Sequence, residues 1–173
     1  IFIGAEGPKN VAQTAKIADG WLPLYYSPYR PEVYSEQLAY APEHFEVVLN
    51  ISITVTETNS DEDLAAALLP VKGMLGFYVG GMGAKGQNYH TRLMARMGFE
   101  EEALRIQDLF LDGHRDEAIA AVPDLFADEI SLVGTPDRIR DRLTAFEDSP
   151  VTMLNVAPGT TDRLRQVAEI VLG

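Results

Sequence analysis

The longest regular alternation of apolar and polar side chains covers residues 45–56. Its apolar positions are Phe45, Val47, Leu49, Ile51, Ile53 and Val55, and nearly all of the residues between them are polar. A period of two predicts one β-strand with two different faces. In an antiparallel sheet the polar face would meet solvent, whereas in a barrel it could point inward and line a cavity.

Shorter apolar runs predict four further strands, at residues 1–3, 21–24, 130–133 and 151–156, and most of these strands are joined by segments with helical spacing. Strands that alternate with helices are typical of a parallel sheet with right-handed crossovers. We therefore expect an α/β fold with four or five strands, formed as one domain over residues 1–173.

A helical block interrupts this alternation between about residues 60 and 125. Ser60 and the three acidic residues after it are typical of a helix N-terminus. Glu100 favours the start of another helix, and Gly98 and Gly113 predict breaks. Because strand propensity is low throughout, we interpret the block as an insertion into the α/β fold.

Residues 64–82 within this block are apolar enough to raise the question of a membrane span. A spanning helix needs about 20 uninterrupted apolar residues, whereas this segment contains Pro70, Lys72 and several glycines. The pattern therefore favours a buried or subunit-facing helix, and we expect no membrane association.

The charge balance argues against nucleic acids and anionic membranes as partners. The chain carries 14 Lys and Arg against 26 Asp and Glu, a net charge of −12, which would repel nucleic acids and anionic lipids. Cysteine is absent, so disulfides and thiolate chemistry are excluded, and the composition fits a cytoplasmic protein. The chain opens on a strand-like run without Met, from which we expect that an upstream segment is missing.

The first strand is followed by a loop of small residues, Gly4, Ala5, Glu6 and Gly7, and Pro8 can begin a helix there. Backbone N–H groups at a helix N-terminus bind phosphate when small residues let the anion approach. The alternative is a tight turn without a ligand. Glu6 would repel a phosphate unless its side chain turned away to cap the helix, so binding would have to use the backbone.

Other candidate motifs are weaker. Residues 81–86 match the dinucleotide fingerprint G-x-G-x-x-G, but helical segments flank them, so a flexible loop or close helix packing explains the glycines better. His44 and His114 lie in polar surroundings and are expected at the surface. His90 is the one candidate for a proton donor that faces a substrate pocket. No spacing of ligands indicates a metal site.

Several segments together resemble one protein family. They are Ile1–Pro8, Ala18–Trp21, Tyr78–Gly83, Ile106–Leu109 and Val133–Ile139. In this order they are similar to segments of the luciferase-like monooxygenase superfamily, particularly to members that use the deazaflavin coenzyme F420. The resemblance covers nearly the whole chain.

The resemblance implies the C-terminal half of a (β/α)8 TIM barrel of about twice this length, with its N-terminal half missing. It implies that the loop of Gly4, Ala5, Glu6 and Gly7 contacts the cofactor phosphate, with Gly20 and Trp21 beside the cofactor tail or ring. Hydride transfer between F420 and an organic substrate is the expected activity, or flavin-dependent oxygenation with FMN, in a homodimer. Two alternatives stay open: a non-catalytic half-barrel assembly or binding module, and an enzyme for another phosphorylated ligand.

Overall fold

Short parallel strands alternate with helices in the computed structural model, which describes residues 1–157 and 159–173. The strands are β1 (Phe2–Ile3), β2 (Gly20–Trp21), β3 (Glu46–Asn50), β4 (Ile53–Val55), β5 (Leu132–Gly134) and β6 (Met153–Asn155). The helices are α1 (Pro8–Ile17), α2 (Glu32–Leu38), α3 (Asp61–Gly81), α4 (Tyr89–Arg96), α5 (Glu100–Leu111), α6 (Arg115–Ala120), α7 (Asp124–Glu129), α8 (Pro136–Glu147) and α9 (Thr161–Leu172). The expected α/β fold with parallel pairing is confirmed.

The strands form two parallel sheets. The larger has the order β1-β2-β3-β6, and the smaller pairs β4 with β5. Because neighbouring strands are parallel, their carboxyl ends lie at the same edge of each sheet. Whatever follows β1, β2, β3 and β6 in sequence is therefore brought to one edge.

The prediction of one continuous strand over residues 45–55 is wrong. The chain pairs with β6 through β3 and with β5 through β4, and it changes partner between them. The Ile51 N–H donates to the Asn155 carbonyl at 3.1 Å, whereas the Ser52 carbonyl accepts from the Leu132 N–H at 2.9 Å. The side-chain period does not report this change, because hydrogen bonding to neighbouring strands involves the backbone alone.

The predicted helical block is present as α3–α7 between β4 and β5. The Ser60 side chain accepts the Asp63 N–H at 3.2 Å, as its N-cap position predicted. Gly98 and Gly113 adopt φ of +90° and +89°, where a side chain would be strained, and each separates two helices. The breaks are therefore set by backbone conformation.

Helix α3 is long and apolar enough to cross a membrane, judged by length and composition only. It packs against α4, α5, α6 and α7 and buries Leu68, Val71, Leu75 and Val79. This arrangement agrees with the buried helix that the sequence favoured. Its outer side leaves Leu69, Phe77 and Met82 about half exposed.

An aromatic cluster packs the connection after β2 against α2. The Trp21 ring meets the Tyr34 ring edge to face, with centroids 4.8 Å apart, and Tyr26 stacks on Tyr34 at 5.8 Å. All three side chains are buried. Aromatic pairs in such geometries contribute beyond their buried area, so this cluster provides a rigid support beneath the loop between β1 and α1.

An ion pair between a buried carboxylate and a partly exposed arginine holds the other end of this connection. The Arg30 guanidinium donates to both carboxylate oxygens of Glu129 at 2.7 and 2.8 Å, and the Ser27 hydroxyl donates to the same carboxylate at 2.9 Å. The guanidinium also lies 4.5 Å from the centre of the Phe99 ring. The connection after β2 is thereby tied to α7.

Candidate functional site

The loop of residues 4–7 joins the carboxyl end of β1 to the N-terminus of α1. Gly7 is the N-cap residue, with extended φ and ψ of −76° and 142°, and Pro8 occupies the first turn as predicted. No side chain caps this end of the helix. The partial positive charge of the helix terminus is therefore not offset by a capping oxygen.

Several backbone donors of this loop are unused. In the part of the chain that the structure describes, the N–H groups of residues 5–7 and of Lys9 donate to no protein acceptor. Buried or half-buried N–H groups are nearly always paired with protein, solvent or ligand. Such a set of N–H groups fits an anion with several oxygens.

The backbone at Gly4 is open to approach. A Cβ at Gly4 would meet only the Leu22 carbonyl oxygen, at an ordinary contact distance of 3.7 Å. A Cβ at Gly7 would lie 3.2 Å from a ring carbon of Tyr89, so this ring covers the Gly7 side of the loop. A ligand would therefore reach the loop from the Gly4 side.

The Glu6 carboxylate turns away from the helix terminus, but it does not cap the helix. Its Oε1 accepts the Leu24 N–H at 2.7 Å, and its Oε2 is buried without a hydrogen-bond partner. Burial raises the pKa of Glu6 to about 7, against the opposing effects of the Leu24 N–H and the Arg96 charge. The sequence does not reveal the Leu24 N–H as the partner of Glu6, because Leu24 lies 18 residues away, in the connection after β2.

Trp21 supports the loop from beneath. Its indole Nε1 donates to the Ala5 carbonyl at 2.7 Å, and the side chain is fully buried. In this conformation Trp21 positions the loop and leaves no ring surface for a ligand. The role beside a cofactor tail or ring stays a prediction.

Gly20 is required for packing. The preceding helix ends at Ile17, and Gly20 lies in β2 without a positive φ. A Cβ there would stand 2.4 Å from the Phe2 ring and 2.6 Å from the Glu46 carbonyl oxygen. The strands on either side approach too closely for a side chain.

His90 lies near the N-terminus of α4, half-buried between aromatic rings. Its ring centroid is 5.1 Å from that of Tyr78 and 6.1 Å from that of Tyr25. The Nδ1 atom is buried without a partner, and burial lowers the pKa of His90, which favours the neutral ring at pH 7. His90 does not line the cavity described next, and its role as proton donor stays a prediction.

A cavity of about 590 Å³ opens at the carboxyl ends of β2, β3 and β6 and extends along β4. Three of the polar positions of the predicted alternating strand line it, but so do the apolar positions between them, so the alternation does not mark one cavity-facing side: the lining includes Asn50, Ile51, Ser52, Ile53, Thr54 and Val55. Leu24 also lines the cavity, and its N–H is held by Glu6. The loop of residues 4–7 and the cavity are thus neighbours in one site.

The sequence analysis missed the cavity residues that lie at the end of β6, after β6 or on α3. These include Met74, Asn155, Arg163 and Gln166. The available signal was the position of Asn155 at the end of a predicted parallel strand, since ligands bind at the carboxyl ends of such strands. Residues of α3 and α9 reach the cavity only through tertiary packing.

The histidines and carboxylates form no metal site among the residues that the structure describes. His44 and His114 are exposed, as predicted, and the His114 Nδ1 lies 2.8 Å from the Glu117 carboxylate. Residues 82–88 connect two helices, α3 and α4, so the glycine motif at 81–86 lacks the preceding strand that a dinucleotide site requires.

Nearly the whole chain is similar to a curated protein. The chain is 37% identical to a Mycobacterium tuberculosis protein named as a coenzyme F420-dependent oxidoreductase, with 99% of this chain and 50% of that protein covered. The chain therefore spans about half the length of this curated relative.

Two solved structures share the fold. Coenzyme F420-dependent tetrahydromethanopterin reductase from Methanopyrus kandleri matches with a TM-score of 0.69 and 21% identity, covering 99% of this chain and 49% of that one. EDTA monooxygenase from Chelativorans sp. BNC1 matches with a TM-score of 0.50 and 16% identity, covering 98% and 42%. The family model for luciferase-like monooxygenases matches residues 1–153. Since that match covers most of the chain, the chain belongs to the luciferase-like monooxygenase family.

Proposed function

We propose that the chain is the C-terminal half of a TIM-barrel oxidoreductase that transfers a hydride between coenzyme F420 and an organic substrate. The observation that carries the proposal is the set of unused N–H groups at residues 5–7 and Lys9, placed at an uncapped helix N-terminus beside the cavity. These groups would hold the cofactor phosphate. The F420-dependent relatives support this choice of cofactor.

The residues of this chain bind and orient the cofactor in this proposal. The phosphate would approach over Gly4, where no side chain intervenes, and Trp21 would hold the loop through the Ala5 carbonyl. The bound deazaflavin would supply the hydride chemistry, and the protein would supply position and electrostatics. Because Glu6 is turned toward Leu24, its carboxylate does not occupy the approach to the loop.

The remaining half of the barrel would come from the N-terminal part of the same polypeptide. The outer strands of the larger sheet are β1 and β6, and parallel barrels leave no free edges once eight strands close. The chain's coverage of half of its curated relative supports this proposal. The exposed apolar side of α3 would face a second subunit in a homodimer.

The test is a titration of the full-length protein with F420 and with FMN, followed by cofactor fluorescence. Gly4→Val should weaken F420 binding at least about tenfold, because its side chain would stand where the phosphate approaches. Gly73→Val is the matched control, since a Cβ there meets nothing within 4 Å. Equal F420 affinity in the Gly4→Val variant and the unaltered protein would refute the phosphate role of the loop.

The same titration also identifies which of the two cofactors the protein binds. F420 binding without FMN binding supports the deazaflavin, whereas FMN binding alone would favour flavin-dependent oxygenation at the same loop. Binding of neither cofactor by the full-length protein would overturn the oxidoreductase proposal.

A further inference from the structure

The charge of the cavity lining differs from that of the chain as a whole. The chain carries 26 acidic and 14 basic residues. Among the described residues that line the cavity, no side chain is a carboxylate, and one, Arg163 in α9, is cationic. The part of the cavity lining that this chain supplies favours a ligand that brings negative charge.

The Arg163 charge is not neutralised by its neighbours. The adjacent carboxylate, Asp162, pairs with Arg165 at 3.0 Å. Within residues 1–157 and 159–173, Arg163 itself forms no salt bridge. Arg163 is exposed, and its guanidinium contributes a positive charge at the rim of the cavity.

Arg163 lies away from the loop of residues 4–7. The loop follows β1 at one edge of the larger sheet, and Arg163 is on the helix after β6, at the other edge. Three strand spacings separate these edges, about 14 Å. We therefore take an anion held at Arg163 to be a separate group from a phosphate held at the loop.

The lining between these two ends suits a neutral carbon skeleton. Asn155 Nδ2 donates to Asn50 Oδ1 at 2.7 Å, which leaves the Asn50 amide nitrogen available to a ligand. Ile51, Val71 and Met74 supply apolar surface. One guanidinium can neutralise one carboxylate in bidentate geometry, whereas a phosphate dianion would be left with excess negative charge.

We propose that the substrate of this site is an organic acid whose carboxylate binds Arg163, with its carbon skeleton lying along the cavity toward Leu24. The proposal rests on the proposed function, since it takes the cavity to be the substrate site. Arg163 is then the residue that selects carboxylates over neutral molecules of the same shape.

The experiment compares a carboxylate with its neutral amide. Binding of 4-phenylbutanoate and 4-phenylbutanamide to the full-length protein is measured by titration calorimetry. The unaltered protein should prefer the carboxylate, and Arg163→Gln should weaken carboxylate binding about tenfold, as expected for one charge-assisted contact. Amide binding should change less than about twofold in the same variant.

Arg165→Gln is the matched control, because Arg165 lies on the same helix, pairs with Asp162 and does not line the cavity. It should leave both affinities unchanged. The absence of a carboxylate preference in the unaltered protein, or an equal loss with Arg165→Gln, would overturn the proposal.

F420 titration of Arg163→Gln separates this inference from the proposed function. Unchanged F420 affinity with a lost carboxylate preference supports both proposals. Weakened F420 binding would place Arg163 in the cofactor site and overturn the substrate role. If the unaltered protein keeps the carboxylate preference but does not bind F420, the F420 proposal is overturned and the organic-acid proposal stands.

Discussion

Replacing Glu6 by Gln tests the electrostatics of the loop directly. Burial raises the pKa of this carboxyl from its ordinary value of 4.5 to about 7 in the folded protein. The folded state therefore binds the proton more tightly than the unfolded state, and ionisation of Glu6 opposes folding. The destabilisation is absent well below pH 4.5, grows between pH 4.5 and 7, and is complete above about pH 7.

The size of the effect follows from the two pKa values. A difference between 4.5 and about 7 corresponds to about 3 kcal/mol of unfolding free energy at high pH. Between pH 5 and pH 8 the change is about 2.5 kcal/mol. Gln keeps an oxygen that can accept the Leu24 N–H and removes the charge, so Glu6→Gln should remove this pH dependence.

Denaturant unfolding of the full-length protein and of Glu6→Gln at pH 5 and pH 8 measures the difference. The variant should gain stability over the parent as the pH rises. Glu36→Gln, on the exposed side of α2, is the control and should follow the parent at both pH values. A stability difference between Glu6→Gln and the parent that is the same at pH 5 and pH 8 would refute the burial of an ionisable Glu6.

Two further predictions concern the support of the site. Glu129→Gln leaves the Arg30 charge without its carboxylate and should destabilise the protein by about 3 kcal/mol, whereas Asp137→Asn, in an exposed ion pair with Arg140, should cost less than about 1 kcal/mol in the same unfolding assay. Gly20→Ala should lower the melting temperature strongly, because its Cβ collides with the Phe2 ring and the Glu46 carbonyl, whereas Gly73→Ala should be neutral or stabilising. If the two variants within either pair lower stability equally, the packing described above is contradicted.

Local signals explain why much of the fold was predictable. Ser60, which the sequence predicts at a helix N-terminus, accepts the N–H three residues later, and Thr135 and Thr160 cap their helices in the same way. The five predicted strands all occur, with the second confined to Gly20–Trp21 and one split in two. Such signals depend on residues close in sequence, so a single sequence contains them in full.

The candidate site likewise combines features that the sequence predicts with features that it does not. Gly4, Gly7 and Pro8 indicate a strand-to-helix turn in the sequence, and the structure shows which N–H groups of that turn are unused. The sequence by itself also determined the α/β alternation, the helical block and the family resemblance. Each of these follows from periodicity, capping or the order of short motifs.

Only the tertiary structure decided which groups meet. It placed the Glu6 carboxylate on the Leu24 N–H, the Trp21 indole under the Ala5 carbonyl, and Arg163 on the cavity wall. It also split the alternating strand between two sheets. These outcomes depend on strand order and on contacts between residues distant in sequence, and neither side-chain periodicity nor local propensity contains that information.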